Sequence, residues 1–243
     1  MLYEGDRVVD GAVDAVAGLR RASLTLRFLT NTTTRPRRQI VERMRRMGFE
    51  AEVEHVFTPA IAAAVILRAA GSRRLQLAAP SALKEDFADF EIARRDVDAV
   101  VMGDLYEKFT WRRLNSIFQA CRDGARLLAL HKNRYCRRDD AIGLDLGPFV
   151  AAVEYAADIE AQIVGKPATP FFAAALADMG LERGEVLMVG DDVDADIGGA
   201  RRAGIRAVQV RTGKYDAHHA GRHRPDALID SIADLGEIID TLA

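Results

Sequence analysis

The sequence predicts an α/β fold built on parallel sheets with helices on both faces. Short apolar runs typical of buried strands alternate along the chain with segments whose apolar residues recur at helical spacing. Of the 243 residues, 49% are hydrophobic and 29% are charged, which is the balance of an ordinary globular protein. No linker rich in Pro, Gly or Ser interrupts the alternation, so we expect any second domain to be an insertion with short connections.

The first third of the chain alternates helix and strand, and most boundaries carry a start or stop residue. Pro36 suits the first turn of a helix, Gly48 suits its end, and Thr58 is a good cap for a helix that opens with Pro59. The predicted elements are a helix at 13–21, a strand at 24–29, a helix at 36–48, an extended run at 53–57 and a helix at 59–70.

Two further strand–helix series fill the rest of the chain. Buried strands are predicted at 75–79, 99–102, 127–130, 161–164, 186–189 and 207–210. Helices are predicted at 109–121, 149–157, 170–179, 196–203 and 229–242. Because each strand returns through a helix, parallel pairing is favoured.

Charge and cysteine content exclude several classes of function. The net charge is −2, which argues against a general electrostatic grip on nucleic acid or on an anionic membrane. The longest uncharged run, Val56 to Leu67, is shorter than the ~18 residues of a membrane-spanning helix, and no signal peptide is visible. Cys121 and Cys136 form neither a disulfide framework nor a zinc motif, so we expect a reducing, cytoplasmic location.

A dense group of carboxylates follows one predicted strand. Four aspartates come within six positions after the run at 186–189: Asp191, Asp192, Asp194 and Asp196. Carboxylates crowded at a strand end repel one another unless a cation neutralises them, and oxygen ligands suit Mg²⁺. Any single Asp here is explained equally well as a helix cap. A calcium EF-hand is excluded because Ile197 stands where that loop needs Gly.

Two other strand ends carry residues that can bind phosphate. Thr30 and Asn31 directly follow the strand predicted at 24–29, and Lys166 follows the strand predicted at 161–164. Taken alone, the first is better explained as an ordinary polar turn with a helix cap, and the second is equally well explained as a surface Lys in a turn. His218, His219 and His223 have no matching Cys or carboxylate spacing, so we expect them to be solvated.

In this order, the three strand ends resemble motifs two to four of the haloacid dehalogenase-like (HAD) phosphatases. Runs such as Val164-Gly-Lys-Pro167, Gly190-Asp-Asp192 and Val210-Arg-Thr-Gly-Lys-Tyr215 are similar to the class IIA branch. Within it, the nearest groups are the p-nitrophenyl phosphatase-like and the phospholysine phosphohistidine inorganic pyrophosphate phosphatase-like enzymes. The resemblance implies a Rossmann-like core at 1–72 and 160–243 with an α/β cap inserted at 73–159, and pairing of two copies through that cap.

The resemblance also implies a mechanism and a role for each site residue. An Asp nucleophile forms an aspartyl-phosphate on a small phosphorylated substrate, and a second Asp protonates the leaving group. Thr30 and Asn31 then bind phosphoryl oxygens. Lys166 supports the nucleophile and the phosphate. The implied Mg²⁺ ligands are Asp191, Asp192 and Asp196.

One motif of the family has no match. Its catalytic aspartates lie in a hydrophobic strand ending Asp-x-Asp-Gly, and the chain opens with Met1-Leu-Tyr-Glu-Gly-Asp6, which resembles the continuation of that motif; Val9-Asp10-Gly11 is only a weak imitation. Burying about four apolar side chains of such a strand contributes roughly 6–12 kcal/mol, comparable with a whole domain's stability of about 5–15 kcal/mol. We therefore expect a start placed too late or a truncated chain. The alternatives are a catalytically inactive regulatory protein that binds phosphate and metal, and an unrelated doubly wound phosphate-binding domain.

Overall fold

The computed structural model describes residues 2–138, 141–218 and 222–242. The strands are β1 Tyr3–Glu4, β2 Arg7–Val8, β3 Phe28–Leu29, β4 Val56–Phe57, β5 Arg74–Ala78, β6 Glu91–Ile92, β7 Ala99–Met102, β8 Arg126–Ala129, β9 Tyr135–Arg138, β10 Ala141–Leu144, β11 Gln162–Ile163, β12 Leu187–Gly190, β13 Arg206–Val210 and β14 Ala227–Ile229. The helices are α1 Ala12–Arg21, α2 Arg37–Arg46, α3 Pro59–Ala69, α4 Trp111–Arg122, α5 Leu146–Ala157, α6 Thr169–Met179, α7 Gly199–Arg202 and α8 Leu235–Leu242, with a π-helical segment at Val193–Gly198.

The chain packs as two compact units. The first contains residues 1–29, 38–57 and 166–243, and the second contains 30–37 and 58–165. The second unit includes helix α3, which packs against a 3-10 helix at Ser81–Phe87. The cap predicted at 73–159 falls inside this unit, which begins earlier in the chain than that prediction.

The first unit holds two parallel sheets around one core. β3 pairs with β4, and β12, β13 and β14 form a separate sheet in that order. In the described residues, no hydrogen-bonded ladder joins the two sheets. Their side chains nevertheless share a core with α1 and α2, because Val16, Met44, Val56 and Val208 belong to one buried cluster.

The second unit is built on a five-stranded parallel sheet in the order β11-β8-β7-β5-β6. β7 is central, and all four of its residues are buried. Helices α4 and α5 cover one face, where Ile117 and Val150 join the core. An antiparallel hairpin of β9 and β10 completes the unit. The predicted α/β class with parallel pairing is confirmed.

Two element predictions are wrong, the first because of a local turn and the second because of a strand pairing between residues distant in the chain. The strand predicted at 24–29 shortens to Phe28–Leu29, because the N–H of Leu24 donates to Leu19 O in the turn that ends α1. The helix predicted at 229–242 begins only at Leu235. Ile229 pairs with Val210 in the sheet, and the side chain of Ser231 caps a short 3-10 helix after it.

Among the described residues, no helix combines the length and the apolar character needed to cross a membrane.

Candidate active site

The aspartate cluster lies directly after β12, in the first unit. Gly190 ends this strand opposite Gln209 of β13, so the aspartates follow the carboxyl end of a parallel strand, where open α/β sheets bind ligands. Gly190 has no room for a side chain, since a Cβ atom there would lie 2.5 Å from Oδ2 of Asp196. The Asp196 side chain therefore packs against the end of the strand.

Asp196 forms a buried ion pair with Lys166. Nζ of Lys166 is 2.6 Å from Oδ1 of Asp196, and the two side chains are 9% and 6% exposed. The other carboxylate oxygen accepts hydrogen bonds from the backbone N–H groups of Asp191 and Asp192, at 3.2 and 3.3 Å. Both oxygens of Asp196 are thus engaged, and the ammonium group compensates their buried charge.

Lys166 also reaches the end of β3. Its Nζ donates to the backbone oxygen of Leu29 at 3.2 Å. The residue therefore lies between the carboxyl end of β3 and the aspartate cluster. This buried position excludes the alternative of a surface Lys in a turn.

Asp192 caps the π-helical segment. Its Oδ1 accepts hydrogen bonds from the N–H groups of Ala195 and Asp194, at 2.8 and 3.1 Å, and its Oδ2 lies 3.3 Å from Nζ of Lys214. Burial opposes ionisation, but the Ala195 N–H, the charge of Lys214 and the Asp194 N–H together hold the pKa of Asp192 below its usual value. Asp192 is thus an ionised carboxylate at neutral pH.

Asp191 has the donor chemistry for Mg²⁺. Its side chain is buried, and Oδ2 accepts the backbone N–H of Lys214 at 2.7 Å. Within the described residues, Oδ1 has no hydrogen-bond donor. An oxygen-only site with one such carboxylate oxygen fits Mg²⁺, which keeps several waters and needs few protein ligands. Asp196 differs, because both of its oxygens are already occupied by donors.

Two residues near the cluster have no individual role in the sequence-based predictions. Lys214 donates its backbone N–H to Asp191 and its Nζ lies 3.3 Å from Asp192; it is one of only five lysines, which was the available signal. His223 is half-buried: its Nε2 lies 3.4 Å from Asp194, and its ring packs against Gly198. Its predicted solvation is therefore wrong, whereas His218 is exposed as predicted. His219 lies outside the described residues.

Thr30 and Asn31 belong to the second unit, so the predicted site residues fall in two units. Oγ1 of Thr30 accepts the N–H of Thr32 at 3.2 Å and lies 2.9 Å from its hydroxyl. Asn31 is exposed and lines a cavity of about 270 Å³ together with Thr32, Thr33 and Thr34. The polar segment after β3 therefore forms one wall of a cavity within the second unit.

A buried cluster that sequence reasoning did not single out lies on another wall of this cavity. Asp104 follows β7, His131 follows β8, and Asp145 precedes α5; the three are 6%, 7% and 5% exposed. Their ligand atoms lie within 4.8 Å of one another. β7 and β8 are neighbouring parallel strands, so the positions of Asp104 and His131 just after them were the available signal.

Hydrogen bonds connect the members of this cluster. Nε2 of His131 lies 2.7 Å from Oδ1 of Asp104, and the N–H of Asn133 lies 3.3 Å from Nδ1. Thr33 donates to the other oxygen of Asp104. Burial opposes ionisation of Asp104, but the hydrogen bond and the charge of His131, then the hydrogen bonds with Thr33 and Asp145, hold its pKa below the usual value.

Comparison with known proteins agrees with this architecture. A family model described as haloacid dehalogenase-like hydrolase matches residues 1–93, and one described as HAD-hydrolase-like matches 163–235. The bovine phospholysine phosphohistidine inorganic pyrophosphate phosphatase is 38% identical over 100% of this chain and 90% of its own length. The human haloacid dehalogenase-like hydrolase domain-containing protein 2 is 41% identical over 92% of this chain and 85% of its own length.

Solved structures extend the agreement. The p-nitrophenyl phosphatase from Archaeoglobus fulgidus superposes with a TM-score of 0.86 at 26% identity, covering 97% of this chain and 94% of that one. A glycerol phosphate phosphatase from Mycobacterium tuberculosis, solved in complex with magnesium, gives a TM-score of 0.80 at 28% identity, covering 97% of this chain and 73% of that one.

The chain belongs to the HAD-like hydrolase family. Its relatives and structural neighbours place it more narrowly among the class IIA phosphatases, so it is a HAD-like phosphoric monoester hydrolase.

Proposed function

We propose that this protein hydrolyses small phosphate monoesters in a magnesium-dependent reaction that passes through an aspartyl-phosphate. The observation that carries the proposal is the buried Lys166–Asp196 pair beside Asp191 at the carboxyl end of β12. A buried ammonium group at a strand end is suited to hold a nucleophilic carboxylate ionised and to offset charge on a transferring phosphoryl group.

Each site residue has a distinct proposed role. Asp191 would hold Mg²⁺, with Asp192 beside it, and Asp196 would position Lys166. A bound Mg²⁺ supplies Lewis-acid polarisation of phosphoryl oxygens. Thr30 and Asn31 would bind phosphoryl oxygens through their side chains and backbone N–H groups.

The nucleophile is not among these residues. The sequence contains no hydrophobic strand ending Asp-x-Asp-Gly, so we propose that these 243 residues alone bind phosphate esters but turn them over only at trace rates, and that the hydrolysis proposed above requires a strand that carries the nucleophile. The purified chain with Mg²⁺ and p-nitrophenyl phosphate tests this. A turnover near or above about 1 s⁻¹ contradicts it and makes Asp10 the first substitute to examine.

The role of Lys166 is tested in an extended protein. An apolar strand ending Asp-x-Asp-Gly, placed before Met1, is expected to create activity that Lys166→Ala lowers by about 10²–10³. Lys84→Ala, at an exposed position in the second unit, is the matched control and should keep the rate. A Lys166→Ala rate above about one tenth of the parent refutes the role. An inactive extended protein that still binds phosphate supports a regulatory protein instead.

The domain organisation is a proposal of the same kind. The resemblance supports a core at 1–72 and 160–243, a cap at 73–159, and pairing of two copies through the cap. Limited proteolysis checks the boundaries, and light scattering of the purified chain checks the pairing.

A further inference from the structure

The segment that we propose binds phosphate has no regular structure of its own. Residues 30–36 follow β3, precede α2 and belong to no helix or strand. Thr30 and Thr32 close a small turn, because Oγ1 of Thr30 accepts the N–H of Thr32 at 3.2 Å. Donors that are not held in place lose conformational entropy when they bind a ligand, which weakens binding. The affinity of this segment for phosphate therefore depends on what holds it in the second unit.

Thr33 connects this segment to the five-stranded sheet of the second unit. Thr33 is 5% exposed, whereas Asn31 and Thr34 are exposed. Its hydroxyl donates to Oδ2 of Asp104, which lies 71 residues away in the chain. A buried hydroxyl group needs such an acceptor, because leaving it without one costs free energy. One hydrogen bond thus ties the backbone to the sheet two residues after Asn31.

Asp104 is itself held by two strands. It follows β7, the central strand of the sheet, and is 6% exposed. Its Oδ1 lies 2.7 Å from Nε2 of His131, which follows the neighbouring strand β8. Gly103, directly before it, is tightly packed, since a Cβ atom there would lie 2.9 Å from the side chain of Leu130. The acceptor of the Thr33 hydroxyl therefore has a fixed position in the core of the unit.

We propose that Thr33 and Asp104 are positioning residues for phosphate binding. Their hydrogen bond holds the segment so that Thr30 and Asn31 present their donors in one arrangement. The inference rests on the proposed function and adds to it two residues that act through this segment. Without the bond, only a fraction of the molecules holds the binding arrangement, and the affinity for phosphate falls by that fraction. A merely structural role would lower thermal stability and leave the phosphate affinity of the folded protein unchanged.

Substitutions at Thr33 separate the two roles. Thr33→Val removes the hydroxyl group, whereas Thr33→Ser keeps it. Binding of inorganic phosphate to the full chain is measured by calorimetry with Mg²⁺ present, well below the unfolding temperature of each variant. We expect Thr33→Val to bind about tenfold more weakly and Thr33→Ser to stay within about twofold of the parent. Thr34→Val, the same change at the exposed neighbour, should keep the parent affinity.

Hydrogen exchange of the backbone amides at 31–34 measures the positioning without any ligand. These amides should exchange faster in Thr33→Val than in the parent, and close to the parent rate in Thr33→Ser. Asp104→Ala removes the acceptor of the bond. Adding Thr33→Val to it should change phosphate affinity by less than about twofold, because both substitutions break the same bond. If Asp104→Ala does not fold, which thermal unfolding detects, the two Thr33 variants decide alone.

Each other outcome contradicts a specific step. Parent affinity in Thr33→Val, or equal weakening in Thr33→Val and Thr33→Ser, overturns the inference and leaves the proposed function standing. Faster exchange without weaker binding also overturns it, because the position of the segment then does not govern phosphate binding. If the parent chain itself does not bind inorganic phosphate, the proposed function fails, and the roles of Thr33 and Asp104 fail with it.

Discussion

The two carboxylate clusters of this protein solve the same electrostatic problem in different ways. In the first unit, Asp196 is paired with buried Lys166 at 2.6 Å, and Asp192 lies 3.3 Å from Lys214. In the second unit, Asp104 is held by His131 and Thr33. The carboxylates of the first cluster are paired with lysine ammonium groups, whereas Asp104 of the second is paired with an imidazole and a hydroxyl group. Carboxylates buried at strand ends can therefore be stabilised by quite different partners within one chain.

The largest expected effect comes from removing the buried ion pair between Asp196 and Lys166 in the first unit. Asp196→Ala removes the carboxylate that pairs with the buried ammonium group of Lys166 and that accepts two backbone N–H groups. We expect a loss of about 3–5 kcal/mol in the free energy of unfolding, measured by urea denaturation.

Asp194→Ala is the matched control, two residues away. Asp194 is half exposed and paired with exposed Arg222, so its loss should cost less than about 1 kcal/mol. Similar losses in the free energy of unfolding for the two variants would show that burial of the Lys166–Asp196 pair adds nothing to stability.

Asp86, a carboxylate in the second unit, extends the comparison to a third site. Burial raises the pKa of Asp86 to about 6 from 3.8, and the backbone N–H and guanidinium of Arg37 oppose this only in part. Because the pKa of Asp86 is higher in the folded than in the unfolded protein, the protonated carboxyl group contributes stability. That contribution is complete below about pH 4 and is lost as the pH rises through about 6.

Asp86→Asn should therefore gain stability relative to the parent protein between pH 4 and pH 7.5. The gain is at most about 3 kcal/mol, the equivalent of the raised pKa. Urea denaturation at both pH values measures it. Asp89→Asn is the control, because Asp89 is exposed and should show no such pH dependence. A gain that is the same at both pH values would contradict the assignment to ionisation.

The smallest expected effect concerns cation binding in the first unit. Asp191→Asn replaces a buried carboxylate by a neutral amide, so Mg²⁺ affinity should fall by about tenfold or more, equivalent to about 1.4 kcal/mol. Calorimetric titration of Mg²⁺ into both proteins measures this fall. Asp89→Asn again serves as the control. Equal affinity in the parent and Asp191→Asn would remove Asp191 from the metal site.

The sequence predicts the first cluster far better than the second. Asp191, Asp192 and Asp196 stand close together after one apolar run, so a local pattern is enough to find them. Asp104 and Asp145 are separated by a helix, a strand and a hairpin. They meet His131 only because the order of strands in the sheet places β7 beside β8. The local spacing of apolar residues predicts individual strands but not which strands become neighbours.

The fold shows the same division between local and distant causes. The strand at 99–102 is predicted with its exact bounds because Ala99–Met102 is apolar throughout, as a fully buried central strand requires. Ile229 is assigned to the wrong element because its helical spacing with later residues is real, while its pairing with Val210 is distant in sequence. The hairpin of β9 and β10 was not predicted, since its β10 residues are exposed and form no buried run.

The hydrogen bond from Lys166 to Leu29 has a consequence for local opening. The sheets of β3 and β12 share no ladder in the described residues, yet one ammonium group holds the last carbonyl of β3 and the carboxylate that folds over the end of β12. The end of β3 cannot open without breaking the hydrogen bond from Lys166 to Leu29, and the end of β12 cannot open without disturbing the bond from Lys166 to Asp196. Amide hydrogens at the two strand ends should therefore exchange with solvent as one cooperative unit, although they lie in different sheets.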